Sequence, residues 1–228
     1  MRTLKRFLHF CILILVAPLK YKITLLKSGI YSSAQLHQDL FALTQNNFKH
    51  NGFFVEFGTV DGLYLSNTLL LEQRYGWRGI LAEPCRSSHP QLLLNRPKSS
   101  IDSRCVWVTS GETINFNENS DSALSGIVDR GIQGVENNQQ YPISTVSLAD
   151  LLLEHNAPVN IGFLSIDTEG TEWEIIRKFD FSRYEIRVVC IEHNYGPNRQ
   201  LIFEKMINAG YRRKYKFLSR FDDWYVKR

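Results

Sequence analysis

Acidic side chains follow four of the five apolar runs that predict the strands of this sequence. They are Asp61, Glu83, Asp167, Glu169 and Glu192. Carboxylates are seldom buried without a partner, so packing alone does not explain why they recur at these points. Ligands of an open parallel sheet bind beyond the carboxyl ends of its strands. We therefore predict that these acids meet at one edge of a sheet and form the functional site there.

The first apolar run, 53–57, leads into a loop that contains two glycines. Phe and Val suit a buried strand, and glycine lets the chain turn sharply and lets a ligand approach the backbone. A helix-compatible stretch follows, whose free N–H groups and positive dipole end would face the loop. The sequence therefore predicts a nucleotide-type cofactor site. Its candidate residues in this segment are Glu56, Gly58, Asp61, Gly62 and Asn67.

Two glutamates have specific candidate partners in such a site. Glu83 lies 21 residues after Gly62, at the end of the second predicted strand. An acid at about that distance accepts hydrogen bonds from ribose hydroxyls, although a solvated strand-end glutamate is the alternative. Glu56 lies inside the first strand and needs a donor, because an unpaired buried charge is costly. An α-amino group of the cofactor would serve, and so would a backbone N–H or an arginine of the chain itself.

The elements that position these residues fit one α/β domain, since 228 residues are too few for two comfortable ones. Strands alternate with helices, which predicts a parallel sheet covered on both faces. We expect a third strand at 105–109 and a capping box at Ser32 and Gln35 that starts a helix. Residues 111–141 are poor in apolar side chains and predict a long loop that serves as a lid or binding loop.

Composition excludes several classes of protein. The net charge of +4 is concentrated near both termini, so the sequence does not indicate a nucleic-acid-binding protein. No G-K-[ST] run is present, which excludes a P-loop. The four cysteines form no C-x-x-C pair and favour a reducing, cytoplasmic compartment. The oligomeric state stays open.

Residues 1–28 form a separate N-terminal segment, ahead of the domain at 29–228. Within it, 7–19 is apolar except for His9 and is shorter than the roughly 20 residues that span a bilayer. One alternative is an interfacial anchor whose lysines contact anionic lipid on the cytoplasmic face of a membrane. The others are a helix packed on its own domain and a cleaved signal peptide.

Four stretches resemble the FkbM-like S-adenosylmethionine-dependent methyltransferases. They are FFVEFGTVDG (53–62), SNTLLLEQRYGWRGILAEP (66–84), LSIDTEGTEWEII (164–176) and CIEHN (190–194). The resemblance implies a class I methyltransferase (Rossmann-like) fold, a doubly wound, mostly parallel seven-stranded sheet with an antiparallel C-terminal strand pair. It also implies S-adenosyl-L-methionine as the cofactor and methyl transfer to a hydroxyl of a carbohydrate, a glycan or a related natural product.

The residues agree with this resemblance, because a carboxylate-lined edge without a phosphate-binding motif suits a cationic sulfonium better than NAD. An NAD-dependent oxidoreductase and a non-catalytic cofactor- or glycan-binding domain are the alternatives. For methyl transfer to oxygen, His193 is a candidate base by its intrinsic pKa, unless it is a structural histidine. Asp167 and Glu169 compete with it as base or as a clamp on a sugar hydroxyl. Asp167 with Glu192 could instead bind a divalent cation that acidifies the hydroxyl.

Overall fold

The computed structural model describes residues 2–128 and 139–228 of the chain. Its α-helices are α1 (Arg2–Val16), α2 (Lys22–Gly29), α3 (Gln38–Gln45), α4 (Leu69–Tyr75), α5 (His89–Asn95), α6 (Leu148–Glu154), α7 (Glu172–Arg177), α8 (Arg199–Asn208) and α9 (Lys216–Ser219). Its strands are β1 (Phe53–Phe57), β2 (Arg78–Ala82), β3 (Ser100–Asp102), β4 (Cys105–Trp107), β5 (Thr113–Glu118), β6 (Gly126–Ile127), β7 (Gln139–Ser147), β8 (Asn160–Ile166), β9 (Glu185–Glu192), β10 (Tyr211–Lys214) and β11 (Asp222–Lys227).

Seven strands form the main sheet in the order β10-β11-β9-β8-β1-β2-β3. The strands β3, β2, β1, β8 and β9 all run parallel to one another. β11 runs antiparallel to both β9 and β10. The order turns back between β1 and β8, which is the switch point where ligands of such sheets bind. This arrangement confirms the predicted class I methyltransferase fold with its antiparallel C-terminal strand pair.

Helices cover both faces of this sheet, as the alternation of strands and helices predicts. Val55 and Phe57 of β1 belong to the apolar layer under α6, α7 and α8. Phe54 points to the opposite layer, which it shares with α3 and α4. Neighbouring side chains of a strand alternate between the two faces, so a continuous apolar run fills both layers.

The predicted third strand was placed in the wrong sheet. β3 lies upstream of it, at Ser100–Asp102, and pairs with β2. The run at Cys105 forms β4 instead and joins a second sheet with the order β4-β7-β5-β6. The cause is the short length of β3, in which only Ile101 is a strong strand former.

The prediction of a long loop at 111–141 was also wrong for most of its described part. β5, β6 and the beginning of β7 lie in this segment, while residues 129–138 fall outside the described residues. Phe116, Tyr141 and Ile143 are buried together between these strands. The apolar residues occur singly and alternate with polar ones, which is the two-residue period of a β-strand. The overall composition of the segment, which is mostly polar, does not show this period.

The predicted capping box is absent, because α3 begins later than expected. Its N-cap is His37, in the left-handed region with φ 61°, and Ser32 donates a hydrogen bond of 2.8 Å to Asp39 Oδ1. Ser32 and Gln35 therefore precede the helix and do not cap it.

The N-terminal segment packs on the domain. Leu13 of α1 is buried in the layer that contains α3 and α4, and His9 Nε2 lies 2.5 Å from the carbonyl oxygen of Leu218. Among the described residues, no helix has the length and hydropathy needed to cross a membrane. The alternative of a helix packed on its own domain therefore holds for the inward side of α1.

Candidate active site

A cavity lies at the carboxyl ends of β1, β2, β8 and β9, where the sequence places the acids. Its floor contains Gly58, Glu83, Asp167, Glu169 and Glu192. Its opposite wall comes from the second sheet and the turn after β5, with Phe116, Asp121, Ser122, Ala123, Leu124, Ser125, Gly126 and Ile127. With Asn67, which also lines the cavity, the fold brings six of the predicted candidate residues into one enclosed space.

Glu83 directly follows β2 and is held in position at the cavity floor by two backbone N–H groups. Its Oε2 accepts a hydrogen bond of 2.7 Å from Val60 N, and its Oε1 accepts one of 2.9 Å from Cys85 N. Each carboxylate oxygen can still accept a second hydrogen bond, which is what a ribose diol requires. Burial raises the pKa of Glu83 to about 7, against the opposing effect of these backbone donors.

This pKa predicts how cofactor affinity depends on pH. A diol binds the ionised form of Glu83 and releases its proton, so the affinity for S-adenosylhomocysteine should fall by up to about tenfold for each pH unit below about 7. The same shift makes the ligand-free protein lose stability as pH rises from 4.5 to about 7, because folding raises the pKa of this acid. Calorimetric titration across this range tests the affinity, and Glu83→Gln should remove most of the dependence. An affinity independent of pH would contradict the assignment.

Glu56 holds the loop after β1 and does not line the cavity. Its Oε1 accepts a hydrogen bond of 2.6 Å from Asn67 N, and its Oε2 accepts hydrogen bonds from the hydroxyls of Ser66, at 3.1 Å, and Thr68. Burial raises its pKa, and the charge of Arg96 opposes that rise. The geometry therefore favours the second alternative for Glu56, a partner within the chain, over a cofactor amino group.

Asn67 places an unpaired acceptor at the cavity. Its Nδ2 donates a hydrogen bond of 2.9 Å to Ser165 Oγ, while its Oδ1 is buried and has no hydrogen-bond partner among the residues that the structure describes. An orphaned buried acceptor is costly, and an ammonium group would satisfy it. Asn67 is therefore a better candidate than Glu56 for the α-amino end of a cofactor.

Asp61 and Gly62 shape the loop from outside the cavity lining. Asp61 Oδ1 accepts hydrogen bonds from Leu63 N, at 2.9 Å, and Tyr64 N, at 2.7 Å. Gly62 has φ 78°, and a Cβ there would lie 2.6 Å from Cγ of Arg96. The geometry assigns these two predicted cofactor ligands to the turn itself.

Position 58 requires glycine, because the chain just after β1 passes close to the chain just after β8. Its φ is 72°, and a Cβ on it would lie 2.0 Å from the carbonyl oxygen of Asp167. We expect Gly58→Ala to lower the free energy of unfolding by at least about 2 kcal/mol, because positive φ and the clash act together. Gly111→Ala is the matched control, since Gly111 has φ 79° and, apart from its chain neighbours, no described residue comes within 4 Å of the added Cβ. Urea unfolding of both variants measures the difference, and equal losses would contradict this explanation.

Three carboxylates form a cluster over the ends of β8 and β9. One oxygen from each of Asp167, Glu169 and Glu192 lies within 4.8 Å of the others. Burial and the charge of Glu169 raise the pKa of Asp167 well above its ordinary range, and burial and Asp167 do the same for Glu192. Burial also raises the pKa of Glu169 to about 7. Such a cluster either shares protons or holds a divalent cation through its oxygens.

Glu172 fixes the loop that carries Glu169. Its Oε1 accepts hydrogen bonds of 3.0 Å from both Thr168 N and Gly170 N. Glu169 itself adopts φ 55°, which is uncommon for a residue with a side chain. The D-T-E-G turn is thereby locked at the mouth of the cavity, in a strained backbone conformation that often accompanies function.

His193 does not line the cavity. Its Nδ1 accepts a hydrogen bond of 2.9 Å from Tyr195 N, and its buried Nε2 lies 3.6 Å from Asp223 Oδ1. The predicted base is therefore turned toward the antiparallel strand pair. The geometry favours the alternative of a structural histidine.

Sequence reasoning missed Gln38 and the wall from the second sheet. Gln38 lines the cavity and donates a hydrogen bond of 2.8 Å from Nε2 to Asp222 Oδ2, which links α3 to β11. No spacing in the sequence joins residues 184 positions apart. The alternation of apolar and polar residues in β5 and β7 is the only sequence signal for the second sheet, and the many polar residues of this segment obscure it.

The polar groups of the cavity suit an adenosyl cofactor with a cationic amino-acid end. Glu83 offers acceptors for a ribose diol, and Asn67 Oδ1 offers an acceptor for an ammonium group. The carboxylate cluster adds negative charge to the same cavity. The residues present therefore fit S-adenosyl-L-methionine.

Part of the chain matches a known protein family. The family model described as "Methyltransferase FkbM domain" matches residues 49–217. No curated protein matches the chain. A solved structure of precorrin-6y C5,15-methyltransferase from Geobacter metallireducens GS-15 is similar, with a TM-score of 0.45 and 10% sequence identity over 82% of this chain and 85% of that one.

The family match spans well over half of the chain and includes β1, the glycine loop and the carboxylate cluster. That family implies S-adenosylmethionine as the methyl donor. The chain belongs to the FkbM methyltransferase family and is a methyltransferase.

Proposed function

We propose that this methyltransferase transfers a methyl group from S-adenosyl-L-methionine to a hydroxyl oxygen of a carbohydrate, a glycan or a related natural product. The observation that carries this proposal is the carboxylate cluster of Asp167, Glu169 and Glu192 in the same cavity as Glu83. Methyl transfer to oxygen must remove the hydroxyl proton, and carboxylates with raised pKa values are suitable bases. Carboxylates and amides are also the groups that hydrogen-bond sugar hydroxyls, and Gln35 and Gln38 line the cavity too.

The cofactor, when bound, supplies a methyl group on a positively charged sulfonium. Glu83 binds the ribose diol and is kept in position by Val60 N and Cys85 N. Asn67 Oδ1 accepts a hydrogen bond from the amino group. The negative charge of the cluster favours a cationic ligand over a neutral one, because the cavity is largely shielded from water.

Asp167 is the base in this proposal. Asp167 and Glu192 interact strongly, so one proton is retained by the pair at neutral pH. When the shared proton lies on Glu192, Asp167 is free to accept the proton of the acceptor hydroxyl. Glu169 then serves as the clamp, since its buried Oε2 has no partner within the described part of the chain.

A divalent cation is the second candidate for activating the hydroxyl. The three cluster oxygens lie close enough together to bind one ion. A bound cation would lower the pKa of the acceptor hydroxyl and would replace the shared proton. In that case Asp167 and Glu192 act as ligands.

The experiment that tests the proposal supplies the protein with isotope-labelled S-adenosylmethionine and a host glycan extract, with and without a chelator. We expect label in the glycan fraction as an alkali-stable ether. Loss of the label in the presence of the chelator would show that a divalent cation activates the hydroxyl. Unchanged labelling would favour Asp167 as the base. Label on protein, on nitrogen or nowhere would contradict the proposal.

Thermal unfolding separates this function from that of an NAD-dependent oxidoreductase. A ligand that binds only the folded protein adds about 2.7 kcal/mol of stability at 100 times its Kd. We expect this stabilisation from S-adenosylhomocysteine and none from NAD. The reverse result would favour the oxidoreductase.

A further inference from the structure

The outward side of α1 is apolar, although its inward side already packs on the domain. Leu13 is buried in the core layer. Phe7, Leu8 and Leu15 are 64%, 61% and 72% exposed. At 3.6 residues per turn these three share a stripe opposite Leu13, with Cys11 between them. A surface helix normally carries polar residues there, so this second stripe needs an explanation.

The same pattern continues beyond α1. Leu19 is 82% exposed, Ile23 in α2 is 69% exposed, and Ile30, directly after α2, is 81% exposed. Leu25 of α2 is buried on the opposite side. We call Phe7, Leu8, Leu15, Leu19, Ile23 and Ile30 together the outer face. Single exposed apolar residues are common, but a stripe on α1 that is followed by three more strongly exposed apolar side chains marks a surface that a partner molecule or a membrane covers.

Charge identifies what covers the outer face. The first 38 residues contain Arg2, Lys5, Arg6, Lys20, Lys22 and Lys27 and no Asp or Glu. A second copy docked through this segment would bring exposed cations such as Lys20 and Lys27 against cations of the same sign, which disfavours a symmetric dimer through this surface. Anionic lipid headgroups attract such a segment while its apolar side chains enter the acyl boundary.

A groove connects the outer face with the cofactor cavity. Phe7, Phe10, Ile30 and Leu36 contribute apolar side chains to its lining. Gln35, Tyr64 and Leu65 line both the groove and the cavity. The groove therefore begins at the exposed stripes and ends beside the residues that hold the cofactor.

We propose that the outer face docks on the surface of an anionic phospholipid bilayer and that the groove leads from the bilayer to the cavity. The acceptor would then be an amphiphile, with a hydroxylated headgroup in the cavity and its apolar part along the groove. The docking stands on the outer face and the charge alone, whereas the amphiphilic acceptor rests on the proposed function.

Sedimentation with vesicles tests the docking. The full chain should sediment with vesicles that contain about 30% phosphatidylserine and much less with pure phosphatidylcholine, and about 0.5 M salt should weaken binding. Leu15→Gln with Leu19→Gln and Ile23→Gln should lower the bound fraction at least about tenfold. None of these three residues lines the groove.

A matched variant controls for the loss of exposed apolar surface in general. Leu94, Leu153 and Val159 are 73%, 67% and 59% exposed elsewhere on the domain. Their triple replacement by Gln should leave vesicle binding unchanged. Equal binding of the outer-face variant and the unaltered protein would overturn the docking. So would a dimer in sedimentation equilibrium that only the outer-face variant loses, since a second copy would then cover the face.

Methyl transfer tests the amphiphilic acceptor separately. Isotope-labelled S-adenosylmethionine is supplied with a glycolipid extract in anionic vesicles, or with the soluble oligosaccharides released from that extract. We expect label in the vesicle-bound glycolipid, and less of it with the outer-face variant. Equal labelling of the soluble oligosaccharides would overturn the amphiphilic acceptor. Label in neither would overturn the proposed function, and the vesicle-binding result would still decide the docking.

Discussion

Replacing Asp167 with asparagine should lower the rate of methyl transfer by about 10²–10⁴-fold, the usual contribution of a positioned base. Asparagine has nearly the same shape but cannot accept the hydroxyl proton, and as a metal ligand it would be weaker. Burial and the nearby carboxylates raise the pKa of Asp167, so its ionised form is a strong base in this cavity. Single-turnover transfer from labelled S-adenosylmethionine measures the rate, and calorimetry measures binding.

The binding of S-adenosylhomocysteine should change little in this variant, because that ligand lacks the positive charge of the methyl donor. Asp102→Asn is the matched control. Asp102 is also a buried acid at the end of a strand of the main sheet, and it pairs with Arg104 at 2.6 Å, away from the residues that line the cavity. We expect it to retain most of the rate. A normal rate in Asp167→Asn, or an equal loss in both variants, would remove Asp167 from the mechanism.

Replacing Glu83 with alanine should weaken the binding of S-adenosylhomocysteine by at least about 100-fold, or roughly 2.7 kcal/mol, as hydrogen bonds to charged groups contribute about 1.5–3 kcal/mol each. The variant loses both acceptors for the ribose diol. It also leaves Val60 N and Cys85 N without their partner, so the floor of the cavity is less well ordered. Calorimetric titration at a pH above 7 measures the loss.

Asp102→Ala provides the comparison for this variant. Asp102 is a buried acid at the end of β3, the strand next to β2, and it pairs with Arg104 at 2.6 Å outside the cavity. Its removal should cost stability and leave cofactor affinity unchanged. If Glu83→Ala binds as tightly as Asp102→Ala, the ribose diol lies elsewhere.

The sequence was sufficient to predict the cavity floor. Parallel strands end at a common edge, so Glu83, Asp167, Glu169 and Glu192 meet wherever the sheet forms. This inference needs only the runs of apolar residues and the residue that follows each run. It therefore survives errors such as the misplaced third strand.

The sequence was not sufficient to predict which polar side chains face the cavity and which bind other parts of the chain. Glu56 and His193 both lie near strand ends, yet the hydroxyls of the next loop surround Glu56, and Asp223 of β11 draws His193 away from the cavity. These partners are decided by tertiary packing and not by spacing. The strands β5 and β6, which form the opposite wall of the cavity, could not be predicted for a similar reason. β6 has only two residues, and polar side chains make up most of β5.

A crystal structure with bound S-adenosylhomocysteine would show where the cofactor lies. We expect both ribose hydroxyls within about 3.2 Å of the carboxylate oxygens of Glu83, with the amino group beside Asn67 Oδ1. We also expect Asp167 to face the sulfur end of the ligand. A ligand bound outside this cavity, or a ribose directed away from Glu83, would show that Glu83 does not bind the cofactor.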